Sequence, residues 1–468
     1  MEGNNAAAAK KVYITKDRSF YKSLIRLAIP IVLQNMVTFL VGFADHLMIG
    51  RLGDIVVSGV YMGGQFQTVL QMFTSGVEGA ILILAAQYWG IRDLQSIKKI
   101  SAMGMRYSLA AAALLNLLVV LFPRFFLGLF TNDEAVIESA VSYVLITAFS
   151  YVFFAAAQML IATLRAVENA RLGFYVSLAA LFINVSLNYL FIFGVTVGGR
   201  EILPAMGIRG AAIATLISRI AEFLIVFIYT LRFEKVLKLR VRDFLLKDPL
   251  LRKDLIRYGT PVLAGQLVWA VNMLAYSSIM GHLSAGAVTA SSIVGQFESL
   301  LRVGTFGLSA ALGIITGKTV GAGLFEKMKE YTRTAEILFL VIGLLSGLII
   351  HFMAAPFISL YDISEEAVQH SRDFFRVLTF TYIGTSWQAT CLSGLVKPGG
   401  DTAFVFKNDS IFVFLVMIPG GILAMLLGAP AWLVFLVLKC DQILKCIVAF
   451  FKINSFNWMK KLTREDAA

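Results

Sequence analysis

Charge is scarce in this chain. Asp, Glu, Lys and Arg make up 15% of its 468 residues, against about 25% in an average soluble domain. Cysteine is scarcer still: Cys391, Cys440 and Cys446 stand on predicted helices, with no metal spacing and no disulfide framework. The four histidines, His46, His282, His351 and His370, are scattered without ligand spacing. No nucleophile is paired with a base and no helix carries adjacent catalytic carboxylates, which disfavours an intramembrane enzyme. Neither a resident metal nor a cofactor is expected. The alternating ten-residue strands of an outer-membrane barrel are also missing. Residues 1–20 are polar and small, without the apolar core of a cleavable signal peptide, and are expected to form a disordered tail.

What fills the chain is apolar. Hydrophobic residues make up 58% of it, and the mean hydropathy is +0.78. Runs of roughly 20 apolar residues, enough to cross a bilayer core, recur between short polar stretches. They predict twelve transmembrane helices near 22–48, 55–88, 100–123, 136–163, 171–194, 209–231, 256–280, 287–317, 332–355, 371–395, 405–427 and 431–451. The expected fold class is an all-α membrane protein. The net charge of +12 raises the question of nucleic acid, but its distribution answers differently. Basic residues crowd one set of loops, as in Arg232, Lys235, Lys238, Arg240 and Arg242. The alternate loops are acidic, as in Asp133-Glu134 and Glu365-Glu366. This asymmetry predicts a multi-pass protein of the cell (inner) membrane with both termini in the cytoplasm. The basic loop then faces lipid headgroups, not nucleic acid.

The chain also repeats itself. Leu24-Ile25-Arg26 and Pro30 recur 231 residues later as Leu255-Ile256-Arg257 and Pro261. Gly64-Gln65-Phe66 meets Gly295-Gln296-Phe297, and Thr74, Gly76 and Ala80 meet Thr305, Gly307 and Ala311. Such duplication in an apolar chain points to a transporter. An even number of spans per repeat places the pseudo-twofold axis along the membrane normal. The organisation expected is a tail (1–20), a first lobe (21–231), a basic linker (232–254), a second lobe (255–455) and a tail (456–468). Two facing lobes leave a central cavity and can alternate access by rocking. A monomer in the bilayer is expected to suffice. Pro30, inside the first helix, is a candidate hinge; a static kink is the alternative.

A charge near the bilayer centre costs at least about 2.5–3.5 kcal/mol, so each one needs an account. Arg219 with Glu222, Glu298 with Arg302, and Asp441 with Lys445 are three or four residues apart, on one helix face. These read as structural ion pairs. Glu298 is also a possible cavity acid. Asp45 and Glu78 have no partner on their own helices. Low dielectric disfavours the charged form of a lone carboxylate, so such a group can exchange protons, or hold Na⁺ with neighbouring oxygens. For Asp45 an interfacial position is the alternative. For Glu78 the alternative is a cation on another helix. Asn184 and Asn188 share one face of the fifth helix and can serve either a site or interhelical hydrogen bonding.

These motifs together resemble the multidrug and toxic compound extrusion (MATE) transporters, bacterial type. The resemblance rests on Pro30, Gln34, Asp45, Gly50 and Gly53, on Gly76 through Gly90, on Gly210-Ala211-Ala212-Ile213-Ala214-Thr215, and on Lys397-Pro398-Gly399-Gly400-Asp401-Thr402. It covers nearly the whole chain. It implies export of organic, often cationic, amphiphiles in exchange for H⁺ or Na⁺. It further implies a coupling-ion site of Asp45, Asn184, Asn188 and Thr215 in the first lobe. Asn188 stands where the family usually has Asp, which removes a negative charge and favours H⁺. The stretch after Pro261 carries Gln266 and Trp269 where some members have a Glu, which argues against a second-lobe site there. The rival within the same superfamily is a flippase for lipid-linked precursors or metabolites, which needs a strongly basic cavity.

Overall fold

The computed structural model describes residues 14–197 and 200–464. Twelve helical spans run through the described residues. The first lobe comprises α1 (Arg18–Ile49), α2 (Asp54–Gly90), α3 (Leu94–Leu121), α4 (Glu134–Thr147 and Ser150–Ala166), α5 (Arg171–Phe193) and α6 (Gly207–Arg232). The second comprises α7 (Pro249–Gly281), α8 (Ala285–Gly321), α9 (Phe325–Ile358), α10 (Glu365–Gly384, prolonged by π-helical turns to Val396), α11 (Thr402–Leu426) and α12 (Ala431–Lys439 and Asp441–Asn454). A two-stranded hairpin, β1 (Val195–Val197) and β2 (Arg200–Leu203), joins α5 to α6. This hairpin is a small exception to the expected all-helical fold.

Helix ends follow local chemistry. Asp17, Asp93, Asp133, Asp248, Ser284 and Ser364 each accept a backbone N–H at a helix start, satisfying donors that the first turn leaves open. Pro249, inside the predicted linker, opens α7 directly behind Asp248; a proline at the first helical position loses no hydrogen bond. The linker is anchored as well: Lys98 pairs with Asp243, and Lys99 with Asp248, both at 3.1 Å. Pro30 and Pro261 both lie inside unbroken helices.

The lobes meet through the halves of α1, α2, α7 and α8 nearest the chain termini. A Cβ at Gly79 would come 2.9 Å from Val262, one at Gly259 2.9 Å from Ala80, and one at Gly317 2.8 Å from Ala86. Gly321 and Gly90 press directly on Gln87 and Lys318 across the interface. Only glycine lets two helix backbones approach so closely. At the far end of the same four helices a Cβ added at Gly42, Gly64, Gly265 or Gly295 would meet nothing within 4 Å, so the lobes part there.

Both ends of the described chain tie this closed end. Residues 14–17, assigned to a disordered tail from sequence, are pinned to α9. Thr15 N donates to Thr334 Oγ1 at 2.8 Å, and Asp17 pairs with Lys327 at 2.8 Å and accepts from the Tyr331 hydroxyl at 2.6 Å. Residues 456–464 form a strap across both lobes. Trp458 is fully buried against Gly399. Gln87 of α2 donates to the carbonyls of Pro398 and Lys460 and accepts from Leu462 N at 2.8 Å. Arg464 grips Asp254 with two 2.9 Å hydrogen bonds. The remaining residues of the predicted tails, 1–13 and 465–468, lie outside the described residues.

Candidate functional site

A cavity of about 360 Å³ opens inside the first lobe between α1, α2, α4, α5 and α6. Three acids, Asp45, Glu78 and Glu222, and two bases, Arg165 and Arg219, line it. Glu78 is not lone: its Oε1 lies 2.6 Å from Arg165 Nη1, and Arg165 Nη2 donates to Gln34 Oε1 at 2.8 Å. The missing side chain at Gly173 makes room for Gln34. Glu222 pairs with Arg219 at 2.7 Å, as its spacing predicts, and Arg219 sits 5.0 Å from the Phe154 ring centroid.

Asp45 stands apart from these pairs. It makes no ion pair among the described residues; Asn188 Nδ2 donates to its Oδ1 at 2.6 Å and to Asn184 Oδ1 at 3.1 Å. Helical spacing puts the two asparagines on one face of α5, and that face turns to Asp45 on α1. Asn188 Oδ1 is buried without a partner, as is the Thr74 hydroxyl on the cavity wall. Thr215 of α6 lines the same cavity, with the Tyr143 hydroxyl beside it. The structure therefore gathers Asp45, Asn184, Asn188 and Thr215, which lie 170 positions apart at their extremes. Together they offer a carboxylate, the unpartnered Oδ1 of Asn188 and further amide and hydroxyl oxygens already engaged in hydrogen bonds, a set that suits a proton or, with those bonds rearranged, a hard cation. Pro30 lies away from this cavity, buried in α1.

A larger cavity of about 840 Å³ lies between the lobes and extends into the second. Arg302, Lys397 and Lys445 line it with Asp409 and Asp441. Asn35 borders both cavities. Glu298, a candidate cavity acid from sequence, does not line this cavity. It is 6% exposed and held by Arg302 at 2.6 Å and Lys439 at 2.7 Å, because burial of a carboxylate needs full compensation. Lys445 bridges Asp441 at 3.0 Å and Asp409 at 2.9 Å. Asp409 joins a pair that sequence read as closed within α12. The π-helical turns at Thr385–Ala389, Leu392–Val396 and Phe412–Met417 border this cavity, a distortion frequent at functional sites.

Sequence reasoning missed Arg165, Tyr143 and Lys397. Predicted ends for the fourth and tenth helices fall two residues short of both cations, which therefore read as loop residues. The signal available was the repeat itself, since Arg165 and Lys397 stand at the ends of equivalent helices, one place out of the 231-residue register.

Comparison with known proteins agrees with this architecture. A family model described as MatE matches residues 30–190 and 261–423, the two lobes in turn. The chain belongs to the MATE transporter family. It is 25% identical over 473 residues to the probable multidrug resistance protein NorM of Thermotoga maritima, covering 97% of each chain. It is 24% identical over 372 residues to the probable multidrug resistance protein YoeA of Bacillus subtilis, covering 78% of each. Among solved structures, a mutant of the Vibrio cholerae MATE transporter VcmN superposes with a TM-score of 0.82 at 19% identity, over 93% of this chain and 97% of that one. The two-lobe, twelve-helix fold is therefore that of a MATE transporter, and the chain is a multi-pass integral membrane protein.

Proposed function

We propose that this MATE transporter is a secondary antiporter that exports organic, amphipathic compounds, cationic ones among them, in exchange for an inward-moving H⁺. Na⁺ is the alternative coupling ion. The observation that carries the reading is the state of Asp45, the one carboxylate in the first-lobe cavity without a cation partner among the described residues. The NorM proteins and the multidrug resistance protein MdtK of Edwardsiella ictaluri support drug export as the class of activity. The charge distribution of the loops supports cytoplasmic termini, which makes the strapped end the cytoplasmic one and the parted end the outer one.

In this reading the coupling ion reaches Asp45 from outside. Neutralising the carboxylate replaces a charge-assisted hydrogen bond from Asn188 with a neutral one, a change of about 1 kcal/mol or more. α1 then bends near Pro30, about 22 Å away at 1.5 Å per residue. Substrate leaves outward, and the lobes rock to open the cytoplasmic side. The flippase alternative asks for a strongly basic cavity, whereas the first-lobe cavity holds more acids than bases and the central one a single excess base.

Asp45→Asn tests this. Asn keeps the size and can still bond Asn188, so the protein should fold and bind substrate. Export of a dye panel in proteoliposomes, with pH and Na⁺ gradients imposed separately, should fall to background under both. Native export rates in that variant would refute the assignment.

A further inference from the structure

The central cavity carries a feature that cation export leaves unused. Lys397 lines it from the end of α10 and makes no hydrogen bond or ion pair among the described residues. Every other charge on that cavity wall is committed: Arg302 to Glu298, and Lys445 to Asp409 and Asp441. The Lys397 ammonium faces α2 at Gly79, where an added Cβ would lie 3.9 Å from its Nζ. Gly79 is eleven residues from the end of α2, or about 16 Å into the span. A cation held unpaired so far from the helix end is expensive and marks a functional position.

The repeat shows what the ammonium lacks. Arg165 lies in the last turn of α4, and Lys397 directly follows α10, 232 residues on and so one place past the 231-residue register. Arg165 is neutralised by Glu78 and held by Gln34. At the 231-residue offset Glu78 corresponds to Ser309 and Gln34 to Gly265. Both of those residues line the central cavity. The second lobe carries a cation beside this place without the acid and the amide that hold Arg165. What replaces them is open space bordered by Trp269, Phe306 and Phe406, apolar surfaces suited to a flat ring.

We propose that Lys397 anchors an organic anion: the carboxylate of an aromatic amphiphile, whose ring rests on that aromatic wall. A zwitterion would place its negative end here and its positive end toward Asn35 and the more acidic first-lobe cavity. This deepens the export reading and rests on it for physiological meaning, but binding alone tests it.

The protein, purified and reconstituted in nanodiscs of pure phosphatidylcholine, is titrated with two xanthene dyes, the carboxylate fluorescein and the cation rhodamine 6G, and read by fluorescence anisotropy. The native protein should bind the carboxylate. Lys397→Gln should weaken that binding by about tenfold to a hundredfold, the range for a charged hydrogen-bond partner, and should not weaken the cation. Lys397→Arg, which keeps the charge, should restore most of it. Equal loss for both dyes, or no loss, overturns the proposal. Displacement of the carboxylate by phosphatidylglycerol in the nanodisc would assign the ammonium to a lipid headgroup and also overturn it. Failure of gradient-driven export with intact, Lys397-dependent anion binding would instead count against the antiport reading alone.

Discussion

Glu78→Gln is the sharpest stability test of the first lobe. The substitution preserves shape and removes one charge from a 2.6 Å pair with Arg165, whose side chains are only 17% and 13% exposed. Removing one partner of a buried pair costs about 3–5 kcal/mol, because the other charge is left uncompensated. Two features reduce that here. Gln can still accept from Arg165 Nη1, and Gln34 continues to accept from Nη2 at 2.8 Å. Arg165 Nε is already buried without a partner, so no further donor is orphaned. About 2–3 kcal/mol remains, which for a chain of this size lowers the melting temperature by about 2–3 °C. The assay is thermal unfolding in detergent micelles, followed by a fluorescent thiol probe for Cys391, which is fully buried. Glu78→Leu with Arg165→Met removes both charges, so the double variant should recover at least half of the loss. A Glu78→Gln protein as stable as the native one would refute the argument. So would a double variant whose loss is the sum of the singles, since both outcomes mean that the pair carries no coupling.

Three further outcomes follow from the interface and the strap. Gly321→Ala places a methyl against Gln87 across the lobes; overpacking of about 1–3 kcal/mol should shift the closed end toward opening by roughly fivefold or more, read as faster labelling of a cysteine placed at the mouth of that end. Arg464→Ala removes both hydrogen bonds to Asp254 and should raise protease cleavage between residues 455 and 464, with α12 itself uncut. The strap should also be insensitive to pH from about 5 to 8. Burial raises the Asp401 carboxyl, but hydrogen bonds from Lys452 and Lys460 outweigh it and hold the group below its ordinary value. Its contribution is therefore complete above about pH 4 and is lost only as pH falls through the lowered value. Constant protease protection across that window, and its loss in Asp401→Asn at neutral pH, would agree.

The spans were legible because a bilayer imposes one demand, an apolar run of sufficient length, and the repeat gave their pairing. The 231-residue offset also located the lobes. The gathering of Asp45 with Asn184 and Asn188 was legible in part, since helical spacing puts the asparagines on one face, but only the packing of α5 against α1 turns that face to Asp45. Partners on different helices were not legible. Nothing local links Glu78 to Arg165, Asp409 to Lys445, or Lys439 to Glu298. The strap was hidden for a different reason. Residues 456–464 are too short for a span and mix apolar with basic residues, so they read as a tail, and their order comes from Gln87, Gly399 and Asp254, which lie far away in sequence.

Charge pairing inside the repeat bears on how two ligands can be coupled at all. A ligand shifts a conformational equilibrium only by its differential affinity for the two states. Two ligands that compete for one charge need no shape change to exclude each other, whereas ligands on separate charges need a structural link. Here the charges are separate. Asp45 corresponds to Tyr276 and Glu78 to Ser309, while Glu298 and Arg302 correspond to Gln67 and Gln71. Each lobe has placed ionisable groups where the other has neutral ones. The unpaired acid faces the first-lobe cavity and the unpaired ammonium faces the central one, with Asn35 on the wall of both. Asn35 lies on α1, between Pro30 and Asp45. A bend of α1 driven from Asp45 would therefore move a wall of the substrate cavity directly. The proposed exchange needs no shared charge, only one helix that borders both cavities, and α1 is that helix.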